Sequence, residues 1–194
     1  MFTGIIESVG EIEEIKIDGT NKHFLISSNI SKELKVDQSV SHNGVCLTVT
    51  KLVDGKHWVT AVDETLKKSN LGNCRVGDKL NLERCMLANG RFDGHIVQGH
   101  VDQTGICKAI QEVDGSWLFD FEYDASLGNL TVEKGSVSIN GVSLTCFNST
   151  VNSFRVAIIP YTFEHTNFHH LKINQLVNLE FDVIGKYVKR ILGK

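Results

Sequence analysis

Proline is nearly absent: Pro160 is the single one in 194 residues. Turns must be made by Gly, Asn and Asp, and glycine is plentiful at 17. Cysteine is too scattered for a disulfide framework. The five cysteines, Cys46, Cys74, Cys85, Cys107 and Cys146, are odd in number, and no CxxC pair occurs. That pattern argues against both cross-linking and a zinc knuckle, and it suits reduced thiols. Positive charge is not in excess. The net charge of −3 argues against a nucleic-acid surface, which is normally basic. No apolar run approaches the roughly 20 residues that a spanning helix needs. The acidic opening MFTGIIESVGEIEE lacks the basic and apolar regions of a signal peptide. A cytoplasmic location is the expectation. GxGxxG, GxxxxGK[ST] and GxSxG are all missing, so no Rossmann site, P-loop or hydrolase elbow is signalled.

What is present is a repeat. SHNGVCLTVT (Ser41 to Thr50) and SINGVSLTCF (Ser138 to Phe147) are nearly the same ten residues. Gly44 matches Gly141 at a separation of 141 − 44 = 97, and Cys46/Ser143, Leu47/Leu144 and Thr48/Thr145 share it. The same offset joins ETLKKSN (from Glu64) to YTFEHTN (from Tyr161), and LNLE (from Leu80) to VNLE (from Val177). Upstream the offset is 95, pairing Gly4 with Gly99 and Gly10 with Gly105. One order and nearly one spacing imply two homologous halves, each large enough for a small domain. The join lies around Arg84 to Gln98, and the halves are taken as 1–86 and 87–182, with a tail at 183–194.

Each half reads as short strands. β-Branched residues flank Asn43-Gly44 and Asn140-Gly141, which signals hairpins. HWVTAV alternates as a half-buried strand should, and VGDKLNLE puts a turn before another strand. Strands about every ten residues predict an antiparallel barrel or sandwich in each half. SNISKEL and DASLGNL read as helical turns. Val183, Ile184, Tyr187, Val188, Ile191 and Leu192 recur at helical spacing, predicting a short amphipathic C-terminal helix.

The halves are chemically unequal where Cys46 faces Ser143. A thiol is more acidic and more nucleophilic than a hydroxyl, although a lone cysteine is often just a small buried apolar group. Thr48 and Thr145 lie two residues on, on the same strand faces. GHIVQGH supplies His95 and His100, which can move protons near neutrality, beside Gly94 and Gly99, where a backbone can approach a ligand closely. His165, His169 and His170 lack a second ligand set, so a metal site is not expected.

At these residues the chain resembles the riboflavin synthase family of trimeric, two-barrel type. The resemblance rests on MFTGIIE, NGVCLTVT, ETL..SNLG, VGD.LNLER, DGHIVQGHVD and KG.V.INGVSLT, in order, over essentially the whole chain. It implies an all-β fold of two tandem six-stranded antiparallel Greek-key barrels, each binding one lumazine, with a C-terminal helix that trimerises. It implies no cofactor. The implied reaction is dismutation of two 6,7-dimethyl-8-ribityllumazine molecules to riboflavin and 5-amino-6-ribitylaminouracil, at sites shared between subunits. Association with lumazine synthase is also implied.

Carried over by position, the first cradle comprises Gly4, Ile5, Ile6, Cys46, Leu47, Thr48, Thr60, Ala61, Val62, Asp63, Glu64 and Thr65. The second comprises Gly99, His100, Val101, Lys134, Ser143, Leu144, Thr145, Ala157, Ile158, Ile159, Pro160, Tyr161 and Thr162. His100 is the preferred base or proton relay. Ser39 and Cys46 would assist addition at C7 of one lumazine, and Ser143 and Thr145 would do the polar work in the other cradle. The family pattern often carries an acid where this chain has Asn140. Asparagine cannot act as a base, and Asn43 occupies the matching place, so Asn140 is expected to keep a turn. The alternative reading is a lumazine- or flavin-binding antenna protein of luminous bacteria, similar in fold but without turnover. Its second cradle and GH...GH stretch are eroded, whereas both are intact here.

Overall fold

A computed structural model describes residues 1–193. The first half closes a barrel from β1 (Ser8–Asp18), β2 (Asn21–Ser27), β3 (Ser39–His42), β4 (Val45–Val53), β5 (Lys56–Ala61) and β6 (Lys79–Arg84). Around the barrel they run β1-β2-β5-β4-β3-β6. The second half repeats this with β7 (Gln103–Val113), β8 (Ser116–Tyr123), β9 (Ser136–Ile139), β10 (Val142–Phe147), β11 (Ser153–Ile158) and β12 (Leu176–Phe181), in the order β7-β8-β11-β10-β9-β12. The jump from the second strand to the fifth is the Greek-key step, and closure pairs most strand edges that would otherwise be open to aggregation. Among the described residues, three short α-helices, α1 (Asp63–Lys68), α2 (Pro160–His165) and α3 (Val183–Ile191), and four 3-10 turns complete the fold. Two of the turns lie at the predicted SNISKEL and DASLGNL.

The strands form because inward and outward residues alternate. In β5 the pattern buries His57, Val59 and Ala61 and turns Lys56, Trp58 and Thr60 outward. The first core gathers Phe24, Ile26, Val40, Leu47, Val59, Leu80 and Leu82; the second gathers Phe119, Phe121, Phe154, Val156, Ile158 and Leu179. The cores differ in polarity at one pair of positions. His42 and His57 are buried in the first barrel, where the second has Ile139 and Phe154 at the same repeat positions.

Both Asn-Gly turns are type I′. Asn43 and Gly44 have φ of 49° and 80°, and Asn140 and Gly141 have 47° and 82°. The two turn tips abut. A Cβ on Gly44 would sit 2.8 Å from the Gly141 nitrogen, and one on Gly141 would sit 2.8 Å from the Gly44 nitrogen. Asparagines knit the junction with two-fold regularity. Asn81 Nδ2 donates to the Asn140 carbonyl at 3.0 Å, and Asn178 Nδ2 donates to the Asn43 carbonyl at 2.8 Å. Asn70 and Asn167, also 97 apart, complete the ring: the Asn70 N–H donates to Asn178 Oδ1 at 2.6 Å and the Asn167 N–H to Asn81 Oδ1 at 2.7 Å. Asn140 thus has a turn-keeping role, its Oδ1 accepting the Asn178 N–H at 2.8 Å.

The segments that lead into the barrels, Phe2–Glu7 and Val97–Asp102, cross over. They pair with each other through Phe2 and Val97, whose N–H groups donate to the other's carbonyl at 2.7 and 3.1 Å. Each then lies on the barrel opposite its own. Ile6 packs on the second core and Val101 on the first. At the far end, Asp182 caps α3 by accepting the Ile184 N–H at 3.0 Å, and Lys186 reaches Asp102 at 2.6 Å. Ile184, Tyr187, Ile191 and Leu192 remain exposed on the amphipathic helix that the spacing predicts.

Candidate functional site

Each barrel opens at one seam. Strands β4 and β5 pair only from Val49↔Val59 to Val53↔Lys56, so Cys46–Thr48 and Thr60–Ala61 diverge. Strands β10 and β11 pair only at Cys146↔Val156 and Phe147↔Arg155, so Ser143–Thr145 and Ala157–Ile158 diverge at the equivalent place. A seam of this kind presents unpaired strand backbone, which needs hydrogen-bond partners from elsewhere. The sequence-derived strand positions of both cradles lie along these two seams.

The leaders correct the grouping made from sequence. The Ser143 N–H donates to the Gly4 carbonyl at 2.8 Å, and the Cys46 N–H donates to the Gly99 carbonyl at 2.8 Å. Gly4, Ile5 and Ile6 therefore belong beside Ser143, not Cys46, and Gly99, His100 and Val101 belong beside Cys46. Repeat alignment shows which residues are equivalent; it cannot show that the chain crosses the two-fold axis. Both glycines are required. Gly4 and Gly99 have φ of 79° and 80°, and an added Cβ would lie 2.6 Å from the Cβ of Ser143 or Cys46.

Within the first cradle, Cys46 and Thr48 face outward, while Leu47 and Ala61 are barrel core and can offer a ligand only backbone. Ser39 pairs with Thr48 across the β3–β4 ladder, beside Cys46, and its hydroxyl favours the Cys46 thiolate. Burial pushes the Cys46 thiol up and outweighs that hydroxyl, so the ligand-free residue is a thiol rather than the activated nucleophile that its type suggests. Thr60 shares a 2.8 Å hydrogen bond with His23. Asp63, Glu64 and Thr65 open α1, a six-residue helix too short to betray itself by periodicity, and Val62 precedes it exposed. His100 has an exposed side chain, and its N–H donates to Glu180 at 2.8 Å.

In the second cradle, Thr145 and Ala157 are exposed and Ser143 and Leu144 half-buried, and Ile158 is core. Ile159 leads exposed into α2, which Pro160, Tyr161 and Thr162 begin. Lys134 is exposed at φ 64°, with Nζ over the Phe147 ring at 5.0 Å. His165 and His169 bond back to the Tyr161 and Thr166 carbonyls at 2.8 and 2.6 Å. Among the described residues no group of three or more His, Cys, Asp or Glu is arranged to hold a metal.

The structure gives a partner to His95, already singled out in GHIVQGH, and adds two carboxylates that sequence reasoning did not select. His95 Nδ1 lies 2.7 Å from Ser143 Oγ, and its Nε2 is buried without a partner among the described residues. Burial lowers the imidazole's pKa, so it is neutral at pH 7, with one ring nitrogen still unsatisfied. Glu83 accepts the Thr3 N–H, the Thr3 hydroxyl and the Gly4 N–H at 2.6, 2.8 and 2.9 Å. Glu180 accepts the N–H groups of Gln98, Gly99 and His100 at 2.6, 2.9 and 2.8 Å. The repeated Leu-Asn-Leu-Glu and Val-Asn-Leu-Glu were the visible signal for these two. A separate cleft of about 540 Å³, lined by Asn43, Asn70, Lys79, Asn140, Asn167 and Lys172, shares no residue with either seam.

The paired seams and crossed leaders define a duplicated two-barrel fold with two equivalent seams. Comparison with known proteins agrees. A family model described as the lumazine binding domain matches twice, at residues 3–85 and 98–182. Riboflavin synthase of Actinobacillus pleuropneumoniae is 42% identical over 197 residues, covering 100% of this chain and 91% of that one. Riboflavin synthase of Bacillus subtilis (strain 168) is 42% identical over 195 residues with the same coverage. The solved structure of LumP complexed with riboflavin superposes with a TM-score of 0.85 at 21% identity, over 93% of this chain and 99% of that one, a likeness of fold. The chain belongs to the lumazine-binding, riboflavin-synthase family of two-barrel proteins.

Proposed function

We propose that each barrel binds one pteridine-type ligand at its seam and that the protein is a riboflavin synthase. Two molecules of 6,7-dimethyl-8-ribityllumazine would dismutate, a four-carbon unit passing from one to the other, to give riboflavin and 5-amino-6-ribitylaminouracil. The products together hold all the atoms and electrons of the two substrates, so the reaction calls for no outside oxidant. The observation that carries this reading is the equivalence of the two seams: both open at the same register, and both receive a glycine leader. A reaction between two identical molecules needs two such cradles held in fixed relation, and positioning can supply much of the acceleration. Near 42% identity along the whole chain to proteins named riboflavin synthase supports the same activity.

Unequal residues would divide the labour. In the first cradle Cys46, with Ser39 and Thr48, would orient addition at C7 of one lumazine, with His100 exposed at the mouth to relay protons. In the second, Ser143 and Thr145 would hold the other lumazine, with His95 as the acid-base partner of Ser143. The exposed apolar face of α3 supports a homotrimer, with complete sites formed between the first barrel of one subunit and the second barrel of another.

The experiment is to mix the protein with the lumazine alone. Green riboflavin fluorescence should grow while two lumazines disappear per riboflavin formed. Lumazine that binds in both barrels and is never converted would replace this reading with that of an antenna protein, whose fold the chain shares.

A further inference from the structure

We propose that Glu83 and Glu180 are positioning residues that act across the molecule: Glu83, on the first barrel, sets the ligand cradle of the second, and Glu180, on the second, sets that of the first. The inference rests on the reading that both seams hold ligands. Each carboxylate is buried, Glu83 at 4% and Glu180 at 2% exposure. Each spends its two oxygens on three donors from one leader, Thr3–Gly4 for Glu83 and Gln98–His100 for Glu180. Three donors converging on each carboxylate favour its ionised form and oppose the burial that raises its pKa, and such charge-assisted bonds are the stronger kind.

The clamped residues are those that reach the other barrel. Gly4 is held by Glu83 through its N–H and takes the Ser143 N–H on its carbonyl; Gly99 is held by Glu180 and takes the Cys46 N–H. One peptide thus links a carboxylate of one barrel to the seam of the other. The residues that follow, Ile5-Ile6 and His100-Val101, are carried over the seam at a position fixed from the far side. Beyond the Phe2↔Val97 bridge each leader is held by isolated backbone bonds, such as His95 N–H to the Thr3 carbonyl and Asp102 N–H to the Leu179 carbonyl. The carboxylate's three converging bonds are the densest anchor on it.

The test is a residue-resolved NMR titration of the full chain with riboflavin. The amides of Thr48 and Thr60 read the first seam, and those of Thr145 and Ala157 the second. In Glu83→Gln the dissociation constant read at Thr145 and Ala157 should rise about ten-fold, the loss expected when a charge-assisted anchor goes, while that at Thr48 and Thr60 stays within about two-fold of wild type. Glu180→Gln should give the reverse. Thr3→Val keeps the carboxylate and removes one donor. It should weaken binding at Thr145 and Ala157 in the same sense but less, and it carries the test if Glu83→Gln fails to fold. Equal weakening at both seams, weakening at the mutated residue's own barrel, or no change would overturn the inference while leaving the ligand reading in place. Absence of saturable shifts at either seam of the wild-type protein would remove both.

Discussion

The two cradles differ most at a single pair of atoms, the sulfur of Cys46 and the oxygen of Ser143. Their surroundings invert the roles that residue type suggests. Cys46 is a thiol whose pKa burial raises, and Ser143 is the one touching a neutral imidazole at 2.7 Å. In peptide-resolved mass spectrometry, Cys46 should react with iodoacetamide at pH 7.5 more slowly than a free thiol. Its rate should reach half its plateau at a pH above ~8.5, where a free thiol is half-ionised, and riboflavin should slow it further. A rate at or above that of a free thiol would make Cys46 an activated nucleophile after all. His95→Ala should lower lumazine turnover by roughly 10²- to 10⁴-fold, as loss of an acid-base group does, with the pH profile of kcat losing one limb. A change in KM alone would make His95 a contact rather than a proton carrier. The inequality of Cys46 and Ser143 was legible in the sequence. The His95–Ser143 pair was not, because 48 residues separate them and only the fold of the leader over β10 brings them together.

Among the elements, the β3–β4 and β9–β10 hairpins were the most legible, since Asn-Gly between β-branched runs leaves one favourable turn. α1 and α2 were opaque at six residues each. Within the first barrel, His42 on β3 and His57 on β5 form a buried chain. His42 Nδ1 is 3.0 Å from the Val40 carbonyl and must donate to it. His42 Nε2 then accepts from His57 Nε2 at 2.9 Å, and His57 Nδ1 accepts from the Ser31 hydroxyl at 2.8 Å. Every link runs one way: a proton on His42 sets its Nε2–H against the His57 Nε2–H, and one on His57 forces the Ser31 hydroxyl to turn toward Ser28. Burial lowers both imidazoles, His57 to about 4. A base held below its unfolded value of about 6.5 stabilises the fold fully above that pH. The contribution is lost as pH falls from 6.5 toward 4, because the unfolded chain binds the proton first. For His57 this amounts to roughly 3 kcal/mol, from about 1.4 kcal/mol per pH unit. Urea unfolding should therefore show the first barrel weakening between pH 6.5 and 4. The double variant His42→Ile, His57→Phe, which copies Ile139 and Phe154 of the second barrel, should flatten that acid limb. An unchanged limb would place the acid sensitivity elsewhere.

At the scale of the whole molecule, duplication has built one body rather than two beads. Turn tips meet at Gly44 and Gly141, asparagines interlock across the axis, and the leaders exchange barrels. α3 stands outside this arrangement with Ile184 at 59%, Tyr187 at 68% and Ile191 at 80% exposure. Isolated apolar residues are ordinary on a surface, but a whole helix face calls for a partner. If that partner is another copy, the double substitution Tyr187→Asp, Ile191→Asp should convert a trimer to monomers in sedimentation velocity. The monomers should keep their circular dichroism and lose most lumazine turnover, because complete sites would no longer form. A trimer that survives both charges would move the interface away from α3.

The sequence by itself determined the duplication, the Asn-Gly hairpins, the amphipathic tail and the unequal Cys46 and Ser143, because each is written locally or as a repeat at one offset. Only the tertiary structure decided which leader serves which barrel, that Glu83 and Glu180 hold them, and that His95 meets Ser143. The physical reason is that equivalence under a repeat is unchanged when the two leaders are exchanged. The contacts that break this tie are single hydrogen bonds between residues about 50 to 140 apart, which no local pattern encodes.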